Sequence, residues 1–408
     1  MLFRCFLLFL LLPLTLFCTN DRKERVRVAI VPTTDYSDFF VVDFDKTEVR
    51  DTLSLSFFFK SAVCVRLDDE NDKSLIGSID KLVVFNEKLY VLDGQIAKGL
   101  FVFDWDGRFI RKIGSLGQGP GEYINIRDFT LNTDNNEIII LDNHKILFFN
   151  FDGNFLKSFF IVKENNLILT FQYYNGLLYS CVFPLSEKKE NDYLLQSINK
   201  DDGSVVSRFL KTDEHNKGFN GAFKGADYFI PKLDPPYLFR HMFMDTIFSI
   251  TEKGLSPYIA LKSKDFVTEK DIVISRNKSP LSVIEFVTGL KNKNRIYRIF
   301  NFFETDDYFH FRYTRGAESK SIIFNRKDMQ VQTVGNLRND LIYKTEQPSA
   351  PPRFAFYDKK GVYEIVEGRK LYDFLPFLWE KKLKEPFNEQ LKGLTEDSNP
   401  IIFYYEFK

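Results

Sequence analysis

The feature that most constrains this chain is a unit of short strands that returns. Leu89, Tyr90, Val91, Leu92 and Asp93 are answered by Ile138, Ile139, Ile140, Leu141 and Asp142. Residues 101–110, which carry the turn Asp106-Gly107, are answered by residues 147–156, which carry Asp152-Gly153. The turn thus recurs after about 46 residues, close to the length of a four-stranded propeller blade. A unit of that size cannot bury its own apolar faces, so copies must stack side by side.

The same pattern continues with less fidelity. A third copy runs through Leu177, Leu178 and Tyr179, then 193–198, to Asp202-Gly203 and Val205-Val206; a fourth runs from Asp245 to the turn Lys253-Gly254. The fifth is the most aromatic, with 299–303, a turn at Asp306-Asp307, 308–313 and 321–325; a sixth lies at 354–357 and 361–366. Composition agrees with strands. Aromatic residues reach 16%, with 45 Phe and 19 Tyr, and flat side chains suit a pleated, half-buried surface. The stretch 211–236, with Gly218, Gly221, Gly225 and Pro231, reads as a long surface loop. Phe387, Leu391 and Leu394 follow helical spacing behind Pro386 and predict a short helix. The last strand pattern, 401–407, is placed to complete a blade begun near Ala62, Val63, Cys64 and Val65, which closes the ring and leaves little open edge.

The N-terminus reads as an address. After Arg4 an apolar run extends from Phe6 to Phe17, too short to span a bilayer and of the length of a signal-peptide core. It ends at Cys18, followed by the polar run Thr19, Asn20, Asp21, Arg22, Lys23, Glu24. An apolar run ending at one Cys resembles a bacterial lipoprotein signal, in which that Cys is lipidated. Phe17 stands where such signals carry a small residue, and a signal peptide cut elsewhere is the alternative. The expected organisation is a signal at 1–18, a tether and edge segment at 19–55 and the propeller at 56–408. Cys64 and Cys181 could pair as a disulfide in an oxidising compartment, and two buried free thiols are the preferred reading.

Gly114, Ser115, Leu116, Gly117, Gln118, Gly119, Pro120, Gly121, Glu122 and Tyr123, followed by Asp128-Phe129 and the strand to Leu141-Asp142, carry a resemblance to a known family. This chain resembles the six-bladed β-propeller lipoproteins of Bacteroides-type bacteria, relatives of NHL-repeat propellers. Ser74–Ile79, Asp245–Phe248 and Asp397–Pro400 agree with it. The resemblance implies an all-β fold of six four-stranded antiparallel blades, closed by the C-terminal strand and carrying a short C-terminal helix. It implies an exported, outer-membrane-anchored protein and assigns no activity.

Several function classes recede on chemistry alone. The 56 basic and 56 acidic residues cancel, so the electrostatic footprint of a nucleic-acid binder is missing. Gly117, Gly119 and Gly121 lack the Gly-Lys-Ser/Thr ending of a phosphate loop and lead into a strand, which makes them a structural inter-blade loop. His144, His215, His241 and His310 stand singly, no metal set is grouped, and no catalytic arrangement or cofactor motif is visible. The candidate ligand-binding residues are Tyr123, in the glycine-rich loop, with Arg127, Arg240, His241, His310 and Arg312, polar groups set in or beside apolar strands. Arg beside aromatic rings suits anionic or sugar-like ligands. The expected function is a non-enzymatic binding module at the cell envelope, its partner a glycan, peptide or envelope protein, its only membrane contact the lipid. The alternatives are a metal-dependent propeller hydrolase or lyase of the lactonase type, and a structural subunit of an envelope assembly.

Overall fold

The computed structural model describes residues 27–28, 39–143, 145–161, 166–184, 193–215, 228–252, 254–273, 280–344, 352–367 and 383–408. Cys18, the signal segment and His144 lie outside them. Among these residues the strands group into six sheets of four or five strands, with one further two-stranded ladder at 115–116 and 122–123; the six stand in a ring as a six-bladed β-propeller. The first two blades, 81–113 and 128–160, are plain antiparallel meanders in chain order. The innermost strands of the second and third, the fifth and sixth, and the sixth and first blades touch one another around the channel.

The turn that repeats in sequence repeats in structure. Gly107, Gly153 and Gly203 have φ of 85°, 85° and 74°, a region open to glycine at no steric cost. In the first two of these turns a side chain five residues ahead of the returning strand ties the loop. The Asp104 carboxylate accepts the N–H groups of Asp106 and Arg108, and Asn150 does the same for Asp152 and Asn154. A second repeated device sits at the opposite end of the blade. Fully buried Asp93 accepts four backbone N–H groups, from Gly77, Ser78, Gln95 and Ile96. Asp142 takes those of Ile124, Asn125 and Asn143 one blade later. These bonds fix each inter-blade loop to the blade that follows it, and they leave the buried carboxylates satisfied.

Closure of the ring joins the two ends of the chain. The last strand, Ile401–Phe407, lies between Gly361–Val366 and Phe59–Arg66 in the sixth blade, with Phe403 opposite Cys64 and Tyr405 opposite Ala62. The residues ahead of that strand contribute more than an edge. Arg27–Val28, Phe40–Asp43 and Glu48–Ser54 pair in parallel with the outer strands of the third, fourth and fifth blades. With Phe59–Arg66 they lace the outer rims of four successive blades, which covers strand edges that would otherwise stand open.

Apolar side chains fill the seams between blades. One cluster joins the fourth, fifth and sixth blades through residues such as Phe303, Phe309 and Tyr405, and another joins the sixth, first and second through Phe103, Phe129 and Tyr363. The helix Pro280–Asn292 enters between the fourth and fifth blades, where Phe286 and Leu290 pack on Phe243 and Val267. The C-terminal helix is one turn, Phe387–Gln390. Cys64 and Cys181 are both buried and free. No helix among the described residues is long and apolar enough to cross a membrane.

One sequence expectation is corrected here. Of the stretch read as a surface loop, the described part, 228–236, turns into the channel. Its backbone is satisfied there: Ile230 N–H donates to the Leu238 carbonyl (2.9 Å) and Tyr357 N–H to the Pro231 carbonyl (3.1 Å). Tyr228, Phe229 and Ile230 are buried. The glycines and prolines suggested surface, but Phe229 bridges to Phe239 on the innermost strand of the fourth blade and Lys232 to Tyr357 on that of the sixth.

Candidate functional site

Topology gathers a set of cations at one mouth of the channel. Innermost strands of a propeller run in the same direction, so their N-terminal ends collect on one face. Lys81 opens Lys81–Phe85, Arg127 directly precedes Asp128–Asn132, Arg353 directly precedes Phe354–Tyr357, and Arg298 is the third residue of Ile296–Glu304. A cavity of about 420 Å³ at this mouth is walled by residues of the sixth, first, second and third blades and the inserted segment, among them Lys81, Arg127, Asp128, Gln172 and Lys232. A neighbouring cavity of about 230 Å³ is walled by Asp80, Lys81, Arg298, Phe300, Arg312 and Arg353, together with backbone of the inserted segment. Both share Asp80, Lys81, Pro231 and Arg353.

The smaller cavity owes its shape to a β-bulge. From the Asp306-Asp307 turn, Glu304 pairs with Phe309 and Phe303 with His310; the register then slips, so that Phe300 faces Arg312. Asn301 absorbs the extra residue at φ 55°. Its side-chain amide donates to the Pro352 carbonyl (2.5 Å), and its carbonyl accepts from His310 Nδ1 (3.1 Å). His310 is fully buried and lies on the Phe303 ring, centroids 4.7 Å apart. Burial, then the charge of Arg312, push its pKa down to about 3, which keeps it neutral. A bulge braced in this way re-aims the side chains beside it.

Phe300 is the centre of the arrangement. The guanidinium carbon of Arg298 lies 4.7 Å from its ring centroid and that of Arg312 lies 5.4 Å from it. Arg312 is only 9% exposed and donates to the Ser319 carbonyl (3.3 Å); burial lowers its pKa. Lys81 is neutralised by Asp128 at 2.8 Å, and Arg353 stands 3.6 Å from Glu367. The opposite mouth has another character. Glu304, at the far end of the same inner strand, pairs with Lys232 (2.8 Å) and Arg326 (2.5 Å) and accepts from the Tyr258 hydroxyl (2.7 Å). Burial drives its pKa up, but Lys232 and Arg326 outweigh that and hold it below the usual range.

The sequence candidates separate in space. Arg127 and Arg312 reach the mouth, Arg127 donating to Asn143 Oδ1 (2.6 Å). Arg240 lines a water-sized cavity of about 20 Å³ behind Phe300 and donates to the Ile299 carbonyl (3.4 Å). His241 is buried on Tyr228, centroids 4.9 Å apart, and burial brings its pKa down to about 4. His310 braces the bulge from behind. Tyr123 lies in the seam of the first two blades, fully buried, its hydroxyl donating to the Ile113 carbonyl (3.1 Å). The glycine-rich loop closes on itself, with Glu122 accepting from Gly119 N–H (2.7 Å) and Gly117 N–H donating to the Tyr123 carbonyl (3.1 Å). Lys81, Arg298, Phe300 and Arg353 were not among the candidates. Alignment of the blades on the starts of their first strands, instead of on the Asp-Gly turns, exposes a cation at or beside that start in the first, second, fifth and sixth blades. Among the described residues no group of three or more His, Cys, Asp or Glu is placed to hold a metal ion.

Fold and mouth together define a six-bladed β-propeller with a cationic, aromatic-lined channel mouth. The chain belongs to the DUF4934 family, a domain of unknown function, whose profile matches residues 39–406. Among solved structures it is similar to a Bacteroides fragilis protein described as exported, at a TM-score of 0.68 and 17% identity over 90% of this chain and 99% of that one. It is also similar to a DUF4221-family member from Bacteroides vulgatus, at a TM-score of 0.50 and 13% identity over 85% of this chain and 96% of that one. At such identities the likeness concerns the fold. No curated protein matches the sequence.

Proposed function

We propose that this chain is an exported propeller, tethered to the outer membrane through a lipid on Cys18, and that it works as a non-enzymatic binding module. The observation that carries the reading is the mouth itself: cavities of about 420 and 230 Å³ walled by convergent cations around an accessible aromatic ring. Such a concave site with few placed polar groups is the usual form of a small-ligand pocket. Export is supported by the apolar run ending at Cys18 and agrees with the description of the Bacteroides fragilis relative. The ligand is a soluble glycan or peptide, or an exposed segment of an envelope protein.

A thermal-unfolding screen of the purified protein against glycans and peptides tests the reading. A ligand that binds only the folded state, present at one hundred times its dissociation constant, adds about 2.7 kcal/mol of stability. At least one compound is expected to raise the melting temperature in a concentration-dependent way. A screen in which none does overturns the reading, and metal-stimulated turnover of a lactone or ester in addition favours a hydrolase.

A further inference from the structure

Resting on that reading, we propose that the smaller cavity binds an oxyanion, a carboxylate or phosphate group, carried by a ligand about the size of one sugar ring. Charge favours an anion. Of the four cations in its wall, Lys81 is neutralised by Asp128 and Arg353 faces Glu367. Among the described residues neither Arg298 nor Arg312 has a carboxylate within pairing distance, and Asp80 is the single acid in the wall. Two guanidinium groups are thus drawn to one ring, and one of them is buried. An unpaired buried charge is costly, and an incoming anion removes that cost.

The guanidinium groups are also preorganised. A cation–π contact holds a guanidinium by its face and leaves its in-plane N–H donors available, and these match the paired oxygens of a carboxylate or phosphate. The pairing of Phe300 with Arg312 exists because of the bulge at Asn301, which is held by His310 and Pro352. An unstrained hairpin places Tyr313 opposite Phe300 instead. A left-handed non-glycine residue is strained and persists where the surroundings enforce it. Size limits the ligand. About 230 Å³ lies below the range of roughly 300–1,000 Å³ for drug-sized ligands, which favours one compact unit over a polymer segment.

Calorimetric titration of the purified protein with galacturonate, glucose 6-phosphate, inorganic phosphate and galactose tests this. At least one of the three anions is expected to bind at least tenfold more tightly than neutral galactose, and which one it is identifies the oxyanion. Arg298→Gln, at an exposed position, is expected to weaken that binding at least tenfold, while Arg108→Gln on a distant turn leaves it unchanged. Arg312→Gln gives the same loss if its melting curve shows it folded. Galactose binding as well as galacturonate, or Arg298→Gln without effect, overturns the oxyanion assignment and leaves the binding reading standing. If no anion binds while a neutral glycan or peptide from the wider screen does, the assignment also fails alone; if nothing binds in either experiment, both fail.

Discussion

Glu364 makes the seam that closes the ring sensitive to pH. It sits on Gly361–Val366, beside the C-terminal strand, and its carboxylate accepts the Tyr405 hydroxyl at 2.5 Å. Burial pushes its pKa from 4.5 up to about 7, against the lowering effect of the Tyr405 bond. The folded protein therefore holds this proton more tightly than the unfolded chain does. The associated stability is present in full below pH 4.5, is lost as pH climbs toward 7, and stays lost above it. Between those two values the difference corresponds to a ceiling of about 3 kcal/mol. Glu364 retains some solvent contact, so about 2 kcal/mol is the working figure. Glu364→Gln removes the charge and keeps an acceptor for Tyr405. Its gain over the parent protein in urea denaturation is expected to grow from near zero at pH 4.5 to about 2 kcal/mol at pH 8. His241 and His310, with pKa values pulled down to about 4 and about 3, weaken the fold as pH falls below 6.5. They are common to both proteins and cancel in the difference. A gain that is constant across this range, or that shrinks with rising pH, refutes the reasoning.

Two further outcomes follow from geometry. Gly107 and Gly176 have φ of 85° and 79°, but a Cβ at Gly107 meets the Arg66 carbonyl of the sixth blade whereas one at Gly176 meets nothing; Gly107→Ala is expected to cost about 3 kcal/mol or more and Gly176→Ala about 1 kcal/mol in urea titrations, and equal losses argue against the close approach. His310→Ala removes a buried ring and the bond that braces Asn301, with an expected loss of about 3 kcal/mol; because His310 does not line the cavity, a drop in anion affinity as well, partly restored in His310→Gln, identifies it as a positioning residue, and an unchanged affinity assigns it to stability alone.

The parts of this fold that were legible in the sequence are those made locally. The Asp-Gly turns need glycine at positive φ and an Asp or Asn to tie the loop, so 104–108 and 150–154 look alike on paper and in space. The closing strand was visible because an isolated β pattern at the C-terminus needs a partner, and Ala62 to Val65 offered one. The outer lacing was less visible. Glu48–Ser54 is largely solvent-facing and shows little apolar alternation, so its parallel pairing leaves no periodic trace. The site was legible only in part for the same reason. Arg312 could be placed on a strand face, but the slip at Asn301 moves it opposite Phe300, and no count of residues from the turn anticipates that slip. Tyr123 drew attention as an aromatic in a glycine-rich loop, where it serves instead to fill a seam.

The most direct test of the account is a crystal structure of the protein grown with whichever anion the titration selects. Density for one oxyanion between Arg298 and Arg312, beside the Phe300 ring and with the bulge at Asn301 unchanged, is the predicted result. Density at the opposite mouth near Glu304, or Arg298 and Arg312 paired with carboxylates of the protein itself, contradicts it.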